Sequence, residues 1–118
     1  ASDVYKRHGS NMLFLFSPEG QYRFKYTARG EIESVSFVPG MAVLAVGRNV
    51  RTHDYTVHGA VAVSLSDGKE LNFFSTDGPL QAAAVSDDGR QIAGIEAPAV
   101  TPEEKLIGAY RFHLWNRF

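Results

Sequence analysis

The chain has 118 residues, 44% of them hydrophobic and 21% charged, with 12 Lys and Arg against 13 Asp and Glu and no Cys. This length suits one small domain, the apolar share is too high for a disordered chain, and the balanced charge lacks the basic excess of a nucleic-acid module. No apolar run approaches the roughly 20 residues of a membrane helix, and without Cys there is no disulfide framework, thiol nucleophile or thiolate zinc site.

Residues 1–10 are mostly polar and read as an N-terminal arm or the remnant of an earlier strand. Asn11 to Phe16 is the first clear strand, closed by the turn Ser17-Pro18-Glu19-Gly20. Tyr22, Phe24 and Tyr26 alternate with Arg23 and Lys25, the period of two of a strand with one buried face. After Thr27-Ala28-Arg29-Gly30, Ile32, Val35 and Phe37 carry the next strand, which ends at Val38-Pro39-Gly40. Met41 to Val46 is almost wholly apolar, as a strand buried on both faces is. Arg48 to His58 breaks the rhythm and reads as a long polar loop or extended hairpin tip. Strands then follow at Ala60–Leu65, Leu71–Phe74, Leu80–Val85 and Gln91–Ile95, separated by Ser66-Asp67-Gly68, Thr76-Asp77-Gly78 and Asp87-Asp88-Gly89. Ala97 to Glu104 is a second interruption, in which Thr101-Pro102-Glu103-Glu104 has the form of a helix start or of a charged loop. Leu106 to Trp115 is a final long strand.

The 11 glycines punctuate this order at intervals close to ten residues. A strand of about 5–6 residues plus a short turn has that length, and glycine supplies the positive φ of tight turns. The expectation is an all-β chain of about nine short antiparallel strands.

The strands repeat. A shift of 48 residues places Gly20 on Gly68, Gly30 on Gly78, Ile32 on Leu80, Val35 on Ala83 and Phe37 on Val85. One further residue brings Gly40 onto Gly89 and Val43 onto Ile92, and the two long loops then correspond. A unit of 40–50 residues with four strands is the signature of a propeller blade. The segments Gly68-Lys69-Glu70-Leu71 and Gly78 to Ala93, with Ser86-Asp87-Asp88-Gly89 between two apolar strands, resemble WD-repeat and quinoprotein-like propeller blades. Leu114-Trp115-Asn116 is similar to the Trp-Asp ending of WD repeats, with Asn in place of Asp. The resemblance implies four-stranded propeller-type blades over residues 11–118: units at about 31–78 and 79–118, with 11–30 as the outer half of a preceding blade. That is a little over two blades, whereas closed propellers have four to eight. The chain is therefore expected to self-associate, to complete a larger propeller, or to close instead as a small barrel or sandwich.

The best polar cluster is His53, Asp54 and His58, with Arg48 and Arg51 beside it. Imidazole and carboxylate suit a divalent metal, so these three are the weak metal candidates, and a solvated loop tip is the competing reading. His8 and His113 join such a site only where the fold brings them close. Asp67-Gly68, Asp77-Gly78 and Asp87-Asp88-Gly89 are turn chemistry before they are calcium ligands. Ser66 and Ser86 lie in strand-end turns, and no nucleophile motif or phosphate loop occurs. Phe14, Phe16, Tyr22, Phe24, Tyr26, Phe73, Phe74, Tyr110, Phe112 and Trp115 are read mostly as core, with Trp115, Phe118 and the Tyr22–Tyr26 edge as alternative contacts to another subunit.

The expected function is a non-enzymatic binding and assembly module that needs no cofactor. Its partners are itself, the remainder of a larger protein, or another protein, but not nucleic acid. The partner-binding candidates are Arg48, Arg51, His53, Asp54, His58, Trp115 and Phe118. The alternatives are an accessory propeller segment of a larger enzyme, of peptidase or quinoprotein type, and a small metal-binding β module. Charge and Cys count assign no compartment.

Overall fold

The computed structural model describes residues 4–8 (backbone only), 11–47, 57–101 and 103–117. Among these residues there are twelve strands and no helix. They are β1 (Val4–His8), β2 (Met12–Phe16), β3 (Tyr22–Thr27), β4 (Ile32–Val38), β5 (Met41–Val46), β6 (Gly59–Ser64), β7 (Glu70–Ser75), β8 (Leu80–Val85), β9 (Gln91–Glu96), β10 (Ala99–Val100), β11 (Leu106–Ile107) and β12 (Arg111–Asn116). All pairings are antiparallel. The first sheet has the order β1-β2-β3, the second β4-β5-β6-β7 and the third β12-β9-β8, with β10-β11 as a separate hairpin. None closes into a barrel, so the closed-barrel alternative falls and a stack of sheets, consistent with a partial propeller or a sandwich, stands.

The segment 1–10 is not only an arm, because Val4–His8 pairs along β2. The expected single strand from Leu106 to Trp115 is two strands, broken where Gly108 takes φ 74°. Of the two readings of this segment, helix start and charged loop, the loop holds: Thr101, Glu103 and Glu104 lie at the tip of the β10–β11 hairpin. There the Thr101 amide donates to the Lys105 carbonyl (2.9 Å) and the Lys105 amide to the Thr101 hydroxyl (3.1 Å). Glu104, at φ 62°, turns the chain back.

Serine starts three of the hairpin turns, two closed three residues on and one closed four residues on. The amides of Gly20, Gly68 and Gly89 donate to the carbonyls of Ser17, Ser64 and Ser86, each at 2.8–2.9 Å. All three glycines have positive φ, which other residues adopt at a cost.

The three sheets stack in order. Between the first and second lie Leu13, Ala28, Ile32, Leu44, Val46, Val61 and Val63. Between the second and third lie Met41, Val43, Ala45, Ala60, Ala62, Leu80, Ala83 and Ile92. Alternate residues of β5 and β6 thus enter different cores, which is why every residue of Met41–Val46 is buried. Each large aliphatic side chain buried here contributes about 1.5–3 kcal/mol. The alanines of the second core let β8 approach β4 closely. Ser36 donates to the Ala83 carbonyl (2.9 Å), and the Ala83 amide donates to the Ser34 hydroxyl (3.2 Å). Two backbone groups at the edge of the third sheet are satisfied in this way.

The repeat is visible in the pairing, with a different register from the one expected. A bulge lies between Ile32 and Ser34 in β4 and at the matching place between Leu80 and Ala82 in β8. Ile32 pairs with Val46, and Leu80 pairs with Glu96, so Val46 and Glu96 are counterparts. Val43 and Ile92 are not counterparts. They sit on opposed faces and meet in one core. The cause is turn length: β4 and β5 close at Val38–Met41, whereas β8 and β9 close through the longer Ser86–Gln91 turn. A one-residue slip in a strand moves every side chain to the other face.

Candidate functional site

Two features of the third sheet stand out: a buried acid on its inner face and an apolar outer face. Glu96 ends β9 and pairs with both Leu80 and Arg111. Its side chain is fully buried at the place where the second sheet has Val46. Oε2 accepts from the amides of Gly78 (3.1 Å) and Ala109 (3.0 Å) and from the Arg111 guanidinium (3.4 Å). Oε1 lies 2.7 Å from His113 Nε2. A carboxylate only accepts, so Nε2 carries the hydrogen. Burial works to raise the Glu96 carboxyl, but it is outweighed by the His113 hydrogen bond, the Ala109 amide, the Arg111 charge and the Gly78 amide. The group is held below the usual carboxylate range.

Arg111 also reaches Asp77 at 2.8 Å. That hydrogen bond and then the Glu96 charge push its guanidinium further up. Gly78 is glycine for a reason other than turn φ. A Cβ there would meet the Ala97 carbonyl oxygen at 2.8 Å and the Gly108 Cα at 2.9 Å. Glu96 therefore ties the connection between β9 and β12 to the end of β8. Its four donors leave it a structural anchor, ionised and far from the proton exchange near neutral pH that general base work needs.

Beside it, His113 stacks on Trp115 (5.0 Å, 6°), which stacks on Phe74 of the second sheet (5.4 Å, 13°). Gly94 makes room, since a Cβ would lie 3.0 Å from the Trp115 ring. Trp115, a candidate for contact with a partner, is thus half-buried packing between the second and third sheets. The other candidates divide. Arg48, Arg51, His53, Asp54 and Phe118 lie outside the described residues. His58 is described and is no loop tip: it is fully buried, and its carbonyl accepts from the Thr76 amide at 2.9 Å. Among the described residues no three of His, Asp and Glu gather in a metal-ligating group. His113 goes to Glu96 instead.

The outer face of the third sheet is the second feature. Ile95 pairs with Ala82 on one side and Phe112 on the other, and Ala93 pairs with Ala84 and Leu114. These two rows are apolar throughout, yet Ile95, Phe112 and Leu114 are 50%, 71% and 60% exposed. Phe112 and Tyr110 were expected mostly in the core and are at the surface, as is Tyr22, read either as core or as part of an exposed edge. The alternation in Arg111–Asn116 carried the signal, with apolar and polar residues on both faces. Nothing in the chain order announced that Gly78, Glu96, Ala109, Arg111 and His113 converge.

An open depression of about 490 Å³ lies elsewhere, over the Ser86–Gln91 turn and Asn116. Several of its polar groups serve the turn itself. Ser86 donates to Asp88 (2.6 Å), the Arg90 amide donates to Asp88 (3.0 Å), and the Gln91 amide donates to Ser86 (3.0 Å). The Ser86 hydroxyl, followed by the Arg90 amide, holds the Asp88 carboxyl below its usual range.

No family model and no curated protein matches the sequence. Among solved structures, hydrazine synthase of Kuenenia stuttgartiensis is similar over 79% of this chain, with a TM-score of 0.56 and 11% identity. The matched part is 27% of that chain, so this chain spans little more than a quarter of its neighbour. At that identity the likeness is one of fold.

Proposed function

We propose that this chain is a non-enzymatic propeller-repeat module for binding and assembly, one that self-associates or completes a larger propeller and offers its loops to a protein partner. The observation that carries the reading is the outer face of the third sheet. Monomeric proteins rarely expose large contiguous apolar patches, and such patches mark interaction sites. Repeat units need neighbours to bury their apolar faces. The two long excursions support the recognition role, since each joins the second and third strands of its sheet: 47–58 between β5 and β6, and 97–110 between β9 and β12. Sedimentation across the micromolar range tests the reading. Concentration-dependent association is expected. A monomer at every concentration, with a single cooperative melt, overturns the assembly role.

One observation favours a second reading, an accessory propeller segment of a larger enzyme. The solved neighbour is an enzyme of which the matched part is 27%. In that reading the chemistry lies outside these residues. The mass of the polypeptide purified from its source decides it, and a mass equal to this chain alone removes it.

A further inference from the structure

The central sheet shows what each end face of the stack receives. On its side toward the third sheet it presents Val43, Ala45, Ala60 and Ala62, all buried by β8 and its neighbours. Ala45 pairs with Ala60, and Val43 with Ala62. The matching pairs of the third sheet are Ile95 with Phe112 and Ala93 with Leu114. The exposed outer face of the third sheet is therefore the position that another sheet covers one layer earlier.

The opposite end repeats the pattern. Toward the first sheet the central sheet presents Val61 and Val63, both buried. The first sheet turns Leu13 and Leu15 inward, and its intervening residues Met12, Phe14 and Phe16 lie on the far face. The bulge between Leu15 and Phe16 matches the one between Ala62 and Val63, which makes Phe14 and Phe16 the counterparts of Val61 and Val63. Tyr22 joins them, with its ring 6.0 Å from Phe16 and 6.5 Å from Phe14, and is 56% exposed.

We propose that the outer face of the third sheet, through Ile95, Phe112 and Leu114, receives the outer face of the first sheet of a second copy, through Phe16 and Tyr22. The inference rests on the assembly reading above and adds the partner and the two surfaces. A second copy is the occupant because one chain carries both complementary ends, and stacking copies in this sense continues the order of first, second and third sheet. The end faces also carry larger side chains than their central counterparts: Phe112 and Leu114 stand where the central sheet has Ala60 and Ala62. Two different surfaces meet, so the contact is head-to-tail. It closes as a ring where the rotation permits and grows as a filament where it does not.

A complementation experiment tests this. Leu114→Glu blocks the third-sheet face and Tyr22→Glu blocks the first-sheet face, and both residues are exposed enough to accept the charge in the folded monomer. Circular dichroism melts establish that each variant is folded, with Phe112→Lys as the replacement should Leu114→Glu not fold. Sedimentation velocity is expected to show association of the unmodified chain, monomers of each variant alone, and a dimer with nothing larger in their equimolar mixture, since the mixture holds one pair of intact faces. A mixture that stays monomeric while the unmodified chain associates overturns the head-to-tail contact and leaves the assembly reading standing. So does a Leu114→Glu chain that still associates by itself. An unmodified chain that is monomeric throughout overturns both.

Discussion

The second and third sheets hold strands in matching positions and treat them in opposite ways. β6 is GAVAVS and is buried from Gly59 to Val63, because a sheet covers each of its faces. β12 is RFHLWN, with His113 and Trp115 turned to the core and Phe112 and Leu114 turned outward. A strand between two layers is apolar at every position, and a strand with one covered face alternates. β12 alternates in polarity only in part, since its outward Phe112 and Leu114 are apolar while the outward Asn116 is polar. The difference separates a sheet covered on both faces from one covered on a single face.

The largest way to break this comparison is to remove the anchor that the third sheet has and the second lacks. Glu96→Leu places an aliphatic side chain where the second sheet carries Val46, but it strands two backbone amides, Arg111 and His113. Arg111 is half-exposed and keeps Asp77, so the loss comes from the donors left without an acceptor, about 1–3 kcal/mol for each that is buried, to be measured by urea unfolding. A loss below about 1 kcal/mol would mean that the strand end needs only an apolar plug. Next in size is Leu44→Ala in the central sheet. Leu44 is fully buried between the first and second sheets. A loss of about 2–5 kcal/mol is expected.

Acid sharpens the same contrast. The fold holds Glu96 below the usual range, so its folded pKa lies under that of the unfolded carboxyl, about 4.3. On acidification the unfolded chain takes up the proton first. The stabilisation is therefore complete above that unfolded value and lost as pH falls through the folded one. Thermal melts between neutral pH and pH 3 are expected to show this loss in the native chain and a shallower one in Glu96→Gln. Equal slopes would remove Glu96 as the source.

Much of the layering was legible in the residues. Glycine spacing gave the hairpins, continuous apolarity marked β5 as doubly buried, and the 48-residue shift paired Gly20 with Gly68, two glycines at the same turn. The register of β9 was not legible. Gly40 and Gly89 both turn with positive φ, and matching them hides the extra length of the Ser86–Gln91 turn, which sends Ile92 against Val43. The candidate site was less legible still. His53 and Asp54 drew attention because they are adjacent in the chain, whereas Gly78, Glu96, Ala109 and His113 meet only after β8, β9 and β12 have paired. His58 looked like part of a polar loop because polar residues precede it, yet it is buried immediately before β6.

A smaller effect is expected where the first sheet is tied to the second. The Tyr26 hydroxyl donates to Glu70 at 2.8 Å, and Arg29 reaches the same carboxylate at 3.2 Å while covering the Phe73 ring. Burial and then the Glu70 hydrogen bond push the Tyr26 phenol up, so it is expected to ionise later in an alkaline absorbance titration than an ordinary phenol. Tyr26→Phe removes one hydrogen bond near the surface and is expected to cost about 0.5–1.5 kcal/mol.

The smallest effect decides most about the comparison. Leu114 is a leucine on an uncovered face, whereas Leu44 is a leucine between two layers. Leu114→Ala removes the same atoms as Leu44→Ala, but in the monomer those atoms already touch water. A change within about 0.5 kcal/mol is expected at low protein concentration. Raising the concentration is the control built into this variant. An associating chain gains apparent stability by mass action, and Leu114→Ala is expected to lose that gain while Leu44→Ala keeps it. A cost at high dilution equal to that of Leu44→Ala would mean that the outer face is already covered within one chain, and the asymmetry between the second and third sheets would disappear.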